Sequence, residues 1–259
     1  MKPILSILGC GWLGLPLASH LIEKGYTVKG TTTTPEKLEL LKTKGVEPYL
    51  FQLEVDSRIP AGFLDTITLI IAITSKNIDG FKTLITAIES STIKQIIFIS
   101  STSVYPNTNG VVTEDTPVLD TPLAQIEQLF INNPNFKTTI IRFAGLFGGS
   151  RHPGNFMKPE RPASNPEGYI NLIHLDDCIG IITKVIQTNT YNTIFNACSD
   201  THPTRREFYT KAVLQQGRPA PVFNENSSNS YKIVSNAKVK QLLNYNFTHS
   251  DLINYISAL

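Results

Sequence analysis

The sequence has few cysteines, and this scarcity excludes two classes of protein. Three cysteines occur among 259 residues, at Cys10, Cys178 and Cys198, and no two of them form a C-x-x-C pair. An odd, widely spaced set excludes a disulfide framework and the usual cysteine zinc sites. We therefore expect a reducing, cytoplasmic location and no metal site.

Long apolar runs and blocks of like charge are also missing. The longest apolar runs, such as residues 66–73, have the length of a strand, which excludes a membrane span. The first run leads directly into a glycine turn and does not resemble a signal peptide. Lys plus Arg number 23 and Asp plus Glu number 21, giving a net charge of +2 without a basic run. We therefore expect neither nucleic acid nor membrane as a partner.

What the sequence does contain is an alternation of strand-like and helix-like segments. Apolar and β-branched runs predict strands, and apolar residues at helical spacing between them predict helices. Parallel strands joined by helices require right-handed crossovers, which gives an α/β fold with a Rossmann-type, doubly wound parallel sheet. The predicted strands are 4–8, 26–31, 47–53, 66–74, 94–100 and 138–143, and the helices are 15–24, one beginning near 34, 80–90 and 121–132.

The chain changes character near residue 148. Residues 148–168 are rich in Gly, Pro and Asn and are too long for a plain connection, which predicts a functional loop. We expect a Rossmann domain at 1–148, with part of 176–200 returning to it, and a smaller α/β substrate lobe at 149–259. The later predicted elements are a helix at 176–188, a strand at 193–197, a helix at 204–216 and two short helices from Asn236 and His249.

A G-x-G-x-x-G pattern lies between the first strand and the first helix, in the stretch ILGCGWLG. In such a turn Gly9 permits the tight bend, Gly11 lets a pyrophosphate approach the backbone, and Gly14 lets the helix pack closely. The amides of Trp12 and Leu13 would face the anion, aided by the helix dipole. We predict a dinucleotide site at these five residues. The alternative is a structural turn without a ligand.

The end of the second strand bears on the choice of cofactor. The acid that would bind the ribose of NAD is absent, and the first acid, Glu36, lies inside the next helix. The hydroxyls of Thr31 and Thr32, with Lys37 nearby, favour NADP. NAD stays open because no Arg is present and Glu36 would repel a 2′-phosphate, and the threonines could equally serve only as helix caps. Thr74 and Ser100, at the ends of the predicted fourth and fifth strands, are assigned to the same cofactor site.

Four later motifs occur in a fixed order: FISSTSVYP at 98–106, EDTP at 114–117, RFAGLFG at 142–148 and NLIHLDD at 171–177. Together they resemble the extended short-chain dehydrogenases/reductases, the NAD-dependent epimerase/dehydratase group. With GWLGLPLA and RHPG, they resemble in particular its YeeZ-like branch. The opening GCGWLGLPLASHL also resembles the hydroxyisobutyrate and 6-phosphogluconate dehydrogenases, but the later motifs do not fit that alternative. The resemblance implies a dinucleotide cofactor and a homodimer.

The resemblance also implies a catalytic Ser or Thr, a Tyr, and a Lys four residues after the Tyr on one helix face. Ser101 matches the Ser position. The helix that should carry the Tyr and Lys, at 121–132, contains neither, so the family reaction does not simply carry over.

Other side chains could take part in catalysis or substrate binding. We name Tyr105 and His152 as catalytic candidates beside Ser101, because a phenol or imidazole can move a proton. Arg151 and His174 are candidate substrate-binding residues, Arg151 for an anionic group. The structural alternatives are a packed Tyr105, chance charges in a surface loop at Arg151 and His152, and a hydrogen-bonded His174 followed by Asp176 as a helix cap.

Two functions from different classes remain. The first is an NAD(P)-dependent oxidoreductase or epimerase acting on a small polar or nucleotide-linked substrate, and this is the one we favour. The second is a dinucleotide sensor that kept the fold and lost the chemistry, because fold alone does not determine function.

Overall fold

Apolar and β-branched segments form the strands. The computed structural model describes residues 3–56, 58–159 and 161–258. The strands are β1 (Ile4–Leu8), β2 (Thr27–Thr32), β3 (Glu47–Leu50), β4 (Thr68–Ile71), β5 (Gln95–Ser101), β6 (Val111–Val112), β7 (Lys137–Phe143), β8 (Gly145–Phe147), β9 (Leu172–His174), β10 (Thr193–Ala197) and β11 (Ile233–Val234). All of β4 and all but the first residue of β1 are buried, as expected of strands covered on both faces.

Polar caps fix the starts of several helices. Asn77, Thr121 and Thr204 each accept a backbone amide hydrogen at the start of a helix. The helices are α1 (Gly14–Glu23), α2 (Leu38–Thr43), α3 (Ile78–Glu89), α4 (Pro122–Ile131), α5 (Leu175–Thr188), α6 (Arg205–Gln215), α7 (Ala237–Leu243) and α8 (Leu252–Ala258). Within the described ranges, no helix has the length and apolar character needed to cross a membrane.

Seven strands form a parallel central sheet in the order β3-β2-β1-β4-β5-β7-β10. The order reverses between β1 and β4, and α/β proteins of this type bind ligands at the carboxyl ends of the strands at such a point. The Rossmann-type, doubly wound sheet predicted from the sequence is confirmed. Two small parallel pairs accompany it, β6 with β11 and β8 with β9.

The chain divides into two compact units, each built from three segments. Unit 1 comprises Met1–Ser100, Asp120–Ile141 and Ile182–Ile194, and unit 2 comprises Ser101–Leu119, Arg142–Ile181 and Phe195–Leu259. The sequence-based domains placed the boundary at residue 148, with part of 176–200 returning to the first domain. The structure assigns residues 101–119 to unit 2 and residues 182–194 to unit 1.

Each unit has its own apolar core. In unit 1, Phe130 contacts Phe81 and Phe98 with ring centroids 5.9 and 5.1 Å apart, and aliphatic residues of β1, β4 and β5 complete the cluster. In unit 2, Phe147 and Phe208 pack with Leu252 and Ile256 of α8.

The structure departs from the predicted elements in three respects. β3 and β4 are shorter than the predicted 47–53 and 66–74, because only residues 47–50 and 68–71 pair with neighbouring strands. The short strands β6, β8, β9 and β11 were not predicted, since two or three residues carry no periodicity. The suggestion that Asp176 caps α5 is wrong, because that helix already begins at Leu175.

The aromatic cluster of unit 1 predicts a large effect of Phe130→Ala. The side chain is fully buried, so truncation should lower the free energy of unfolding by about 3–5 kcal/mol. Urea denaturation measures this. Ile131→Ala, at a partly exposed neighbour on the same helix, is the control and should cost less than about 1 kcal/mol. Equal losses for both variants would contradict the assignment of the core.

Candidate dinucleotide site and polar clusters

A tight turn joins β1 to α1, and two glycines make it possible. Gly9 has a φ of +101°, in the region that favours glycine, and a Cβ there would lie 2.9 Å from Ala72 O. A Cβ at Gly14 would lie 2.1 Å from Gly9 O. The helix therefore starts directly against the turn, which leaves no room for a side chain at either position.

Gly11 has different surroundings, because it faces open space. It is exposed, and a Cβ there would meet no protein atom within 4 Å. The N-cap position of α1 is Leu13, whose side chain makes no capping hydrogen bond, and the first turn contains no acid. The first amide groups and the helix dipole thus favour an anion in front of the turn. The cradle fits the pyrophosphate of a dinucleotide, with Trp12 half-buried beside it.

Thr31 holds this turn in place. Its Oγ1 accepts a hydrogen bond from the Gly9 amide at 2.8 Å, and its carbonyl accepts one from the Cys10 amide at 2.8 Å. Thr32 is also buried, and its Oγ1 accepts from the amide two residues later. Sequence reasoning assigned both threonines to the cofactor. In the structure, both hydroxyl oxygens accept hydrogen bonds from backbone amides.

The end of β5 carries a contact that sequence reasoning missed. The Ser100 hydroxyl, predicted to bind cofactor, donates a hydrogen bond to Glu127 Oε1, and both residues are buried in unit 1. Glu127 lies on α4, the helix that carries the Tyr and Lys in the family this chain resembles. A sequence feature could have shown that Glu127 is buried: it is the single acid of α4, and it lies at helical spacing from Leu123 and Phe130 on the apolar face of the helix. Thr74, the other predicted strand-end residue, is exposed after β4.

In unit 2, Tyr105 is part of a buried polar network. Its hydroxyl accepts a hydrogen bond from Arg142 Nη1 at 2.6 Å and donates one to Asn196 Oδ1 at 2.8 Å. The Arg142 guanidinium also lies over the Tyr105 ring, 4.9 Å from its centroid. Burial raises the pKa of the phenol above its ordinary value. This placement agrees with the packed-aromatic alternative and does not favour a catalytic role, because both partners of the hydroxyl are protein groups.

Ser101 begins unit 2 and is half-buried. Its Oγ accepts a hydrogen bond from the Ser103 amide at 3.1 Å and so caps the short 3₁₀ turn Thr102–Val104. Because the oxygen is the acceptor in this contact, the hydroxyl hydrogen stays available for donation. The side chain retains the property that a substrate-contacting serine needs.

The loop after β8 is tighter than the sequence suggests. Gly148 and Arg151 exchange two backbone hydrogen bonds of 3.0 Å. His152 Nδ1 accepts from the Gly154 amide at 3.1 Å and caps the 3₁₀ turn Pro153–Phe156, while its Nε2 contacts Gln215 Oε1 at 3.1 Å. Arg151 is exposed and His152 half-buried, so both stay near solvent within unit 2.

His174 is nearly buried at the end of β9. Its Nδ1 accepts a hydrogen bond from the Asp176 amide at 3.1 Å, so His174 occupies the capping position that sequence reasoning gave to Asp176. Its ring centroid lies 3.9 Å from that of His249, a neighbour that the sequence did not reveal. Burial, and next the adjacent His249, lower the pKa of His174. Because His174 is buried, its ring is not exposed to a substrate at the surface.

Comparisons with known proteins agree with this geometry. A family model described as the NAD binding domain of 6-phosphogluconate dehydrogenase matches residues 5–118. Protein YeeZ of Escherichia coli (strain K12) is 32% identical, with 97% of each chain covered.

Two solved structures share the fold over nearly the whole chain. A short-chain dehydrogenase/reductase superfamily protein from Agrobacterium tumefaciens with bound NAD has a TM-score of 0.76 at 17% identity, with 98% of this chain and 96% of that chain covered. UDP-glucuronic acid 4-epimerase from Bacillus cereus in complex with NAD has a TM-score of 0.75 at 18% identity, with coverages of 99% and 97%.

The sheet and the glycine turn define a protein of the Rossmann class, and its fold is shared with a short-chain dehydrogenase/reductase superfamily protein and with an NAD-dependent epimerase. Within that class, the chain belongs to the YeeZ family.

The contact from Thr31 to the turn predicts the effect of Thr31→Val. This change keeps the shape but leaves the Gly9 amide without its acceptor, so it should lower the free energy of unfolding by about 1–3 kcal/mol. Thr33→Val, at an exposed position two residues on, should stay within about 0.5 kcal/mol of the unchanged protein. Urea denaturation distinguishes the two. A stable Thr31→Val protein would mean that the turn does not depend on this hydroxyl.

Proposed function

We propose that the protein is an NAD(P)-dependent oxidoreductase or epimerase acting on a small polar or nucleotide-linked substrate. The observation that carries the proposal is the turn at residues 9–14, where Gly11 faces open space and α1 begins without a side-chain cap. Gly11 and the amides at Trp12 and Leu13 would hold the pyrophosphate. The bound nicotinamide would supply hydride transfer, and the protein would supply position and proton movement.

NADP is the cofactor form we favour. No acid stands at the end of β2, where the ribose hydroxyls of NAD find a partner in related folds. Because Thr31 and Thr32 are buried, exposed Thr33 and Lys37 are the groups that a solvent-side 2′-phosphate would meet. Exposed Glu36 opposes this preference, so we expect the discrimination against NAD to be modest.

For the chemical step, we assign Ser101 as the donor of a hydrogen bond to a substrate oxygen, because its hydroxyl hydrogen is not used in its own turn. His152 is the candidate general acid or base, since its ring is near solvent and its Nε2 contacts the side-chain amide of exposed Gln215. Exposed Arg151 would bind an anionic group of the substrate. The proposal takes no step through Tyr105.

A second candidate is a dinucleotide sensor without turnover. It is favoured by α4, where the described helix has no Tyr or Lys and instead buries Glu127 against Ser100. A sensor would bind dinucleotide through the same turn. The two candidates therefore differ in turnover and share the binding step.

Dinucleotide binding can be read from Trp12, the only tryptophan of the chain, which lies in the glycine turn. Titration with NADPH and NADH should quench its fluorescence saturably, with tighter binding of NADPH. Gly11→Val should weaken binding at least tenfold with little change in the urea midpoint, because a side chain there enters the ligand space and its Cβ meets no protein atom within 4 Å. Gly110→Ala, at an uncrowded glycine of unit 2, is the control. Absence of quenching by either dinucleotide would refute the proposed site.

Turnover separates the enzyme from the sensor. With a panel of carbonyl compounds and sugar nucleotides, Ser101→Ala should lower kcat/KM at least tenfold through loss of a substrate hydrogen bond, and His152→Ala should do likewise through loss of proton transfer. Ser103→Ala, at an exposed neighbouring serine, and His20→Gln are matched controls. Tight dinucleotide binding with no turnover of any compound would favour the sensor. Turnover unaffected by either variant would contradict these residue roles.

A further inference from the structure

Three side chains of metal-ligand type meet at the start of α5 in unit 2. They are His174 at the end of β9, Asp176 in the first turn of α5, and His249 in the segment before α8. One nitrogen or oxygen atom from each lies within 4.8 Å of the others. Asp176 Oδ2 lies 3.3 Å from His174 Nδ1 and 3.1 Å from His249 Nε2.

The hydrogen bonds show which atoms carry free electron pairs. His174 Nδ1 accepts from the Asp176 amide, so that nitrogen carries a lone pair and not a hydrogen. A carboxylate oxygen 3.3 Å away is also an acceptor. Two acceptors at this separation repel each other unless a positive charge lies between them. The arrangement of His174 and Asp176 is thus the one that a cation would stabilise.

The two distances from Asp176 Oδ2 to the histidine nitrogens, 3.3 and 3.1 Å, match those of a transition-metal site. Zinc binds imidazole nitrogen at about 2.0–2.1 Å and carboxylate oxygen at about 2.0–2.2 Å, which places neighbouring ligand atoms of a tetrahedral ion about 3.3 Å apart. Two imidazoles with one carboxylate suit zinc or a similar borderline-soft ion, whereas magnesium and calcium prefer oxygen ligands only.

The residues around the three side chains hold them in position. Asp177 is fully buried, and its carboxylate accepts from the Thr248 amide at 2.7 Å and the His249 amide at 3.0 Å. It therefore fixes the segment that carries His249 to the start of α5. The remaining nitrogen of His174, Nε2, lies 3.2 Å from Tyr255 Oη. Such outer hydrogen bonds orient the ligating imidazole in metal proteins.

We propose that His174 Nδ1, Asp176 Oδ2 and His249 Nε2 form a binding site for a divalent transition-metal ion, with Zn²⁺ as the best match. Binding breaks the hydrogen bond from the Asp176 amide to His174 Nδ1 and the contact of His249 Nε2–H with Asp176 Oδ2. His249 gives up its Nε2 hydrogen and carries its hydrogen on Nδ1 instead, so that Nε2 presents a lone pair to the ion. The bound ion then joins the segment before α8 to the start of α5. The site differs from the sequence-based expectation of no metal, which rested on cysteine spacing. His249 is too distant in sequence from His174 and Asp176 for any spacing rule to connect them.

The test is a calorimetric titration of the full chain, without a histidine tag and treated with chelator, with Zn²⁺ alone. We expect one ion per chain and a rise in Tm. His249→Gln and Asp176→Asn should each weaken binding at least tenfold, because each removes one of three protein ligands. His20→Gln and Asp79→Asn, which remove a histidine and an exposed acid elsewhere in the chain, are the matched controls.

The location of the ion has a separate readout. In ¹H–¹⁵N NMR spectra, Zn²⁺ should shift the amide signals of Asp176 and His249 most strongly. The Asp176 amide loses its hydrogen bond to His174 Nδ1, and His249 becomes a ligand of the ion. Absence of saturable binding would overturn the proposal. So would binding in which the Asp176→Asn protein matches the unchanged protein. The exposed Asp176 side chain keeps this variant informative even if His249→Gln does not fold.

Discussion

The close approach of α1 to the turn after β1 is the constraint on which the dinucleotide site depends. Gly14 lies so near Gly9 O that a Cβ would come within 2.1 Å of it, and Thr31 ties the Gly9 amide to β2. This contact brings the helix N-terminus to the carboxyl end of β1, next to the point where the strand order reverses. The open space at Gly11 is then the place where an anion meets the first amide groups of the helix.

The same scaffold carries an unusual helix at α4. In the family that the chain resembles, this helix supplies an acid–base Tyr and a Lys, but here it supplies a buried Glu127 that accepts from Ser100. A buried carboxylate needs such a partner, because its transfer from water is costly without one. Tyr105 is the tyrosine closest in sequence to α4, and its hydroxyl is hydrogen-bonded to Arg142 and Asn196. Helix α4 therefore carries neither member of the usual Tyr and Lys pair.

Local patterns explain what the sequence could predict. Strand β1, helix α1 and the glycines between them were predicted almost residue for residue, because apolar runs and turn glycines act over a few neighbours. The contacts of Glu127, Asn196 and His249 were not predicted, because each joins elements that are distant in the chain. Thr31 was assigned to the cofactor on its residue type. Its link to Gly9 depends on the register of β1 and β2, which composition does not reveal.

The most direct test of the account is a crystal structure of the chain grown with NADP⁺. The account predicts that the pyrophosphate lies in front of Gly11, within hydrogen-bonding distance of the amide nitrogens at the start of α1. It also predicts that the Thr31 hydroxyl stays on the Gly9 amide. A dinucleotide bound elsewhere in the molecule, with the turn at residues 9–14 free of ligand, would contradict the central claim.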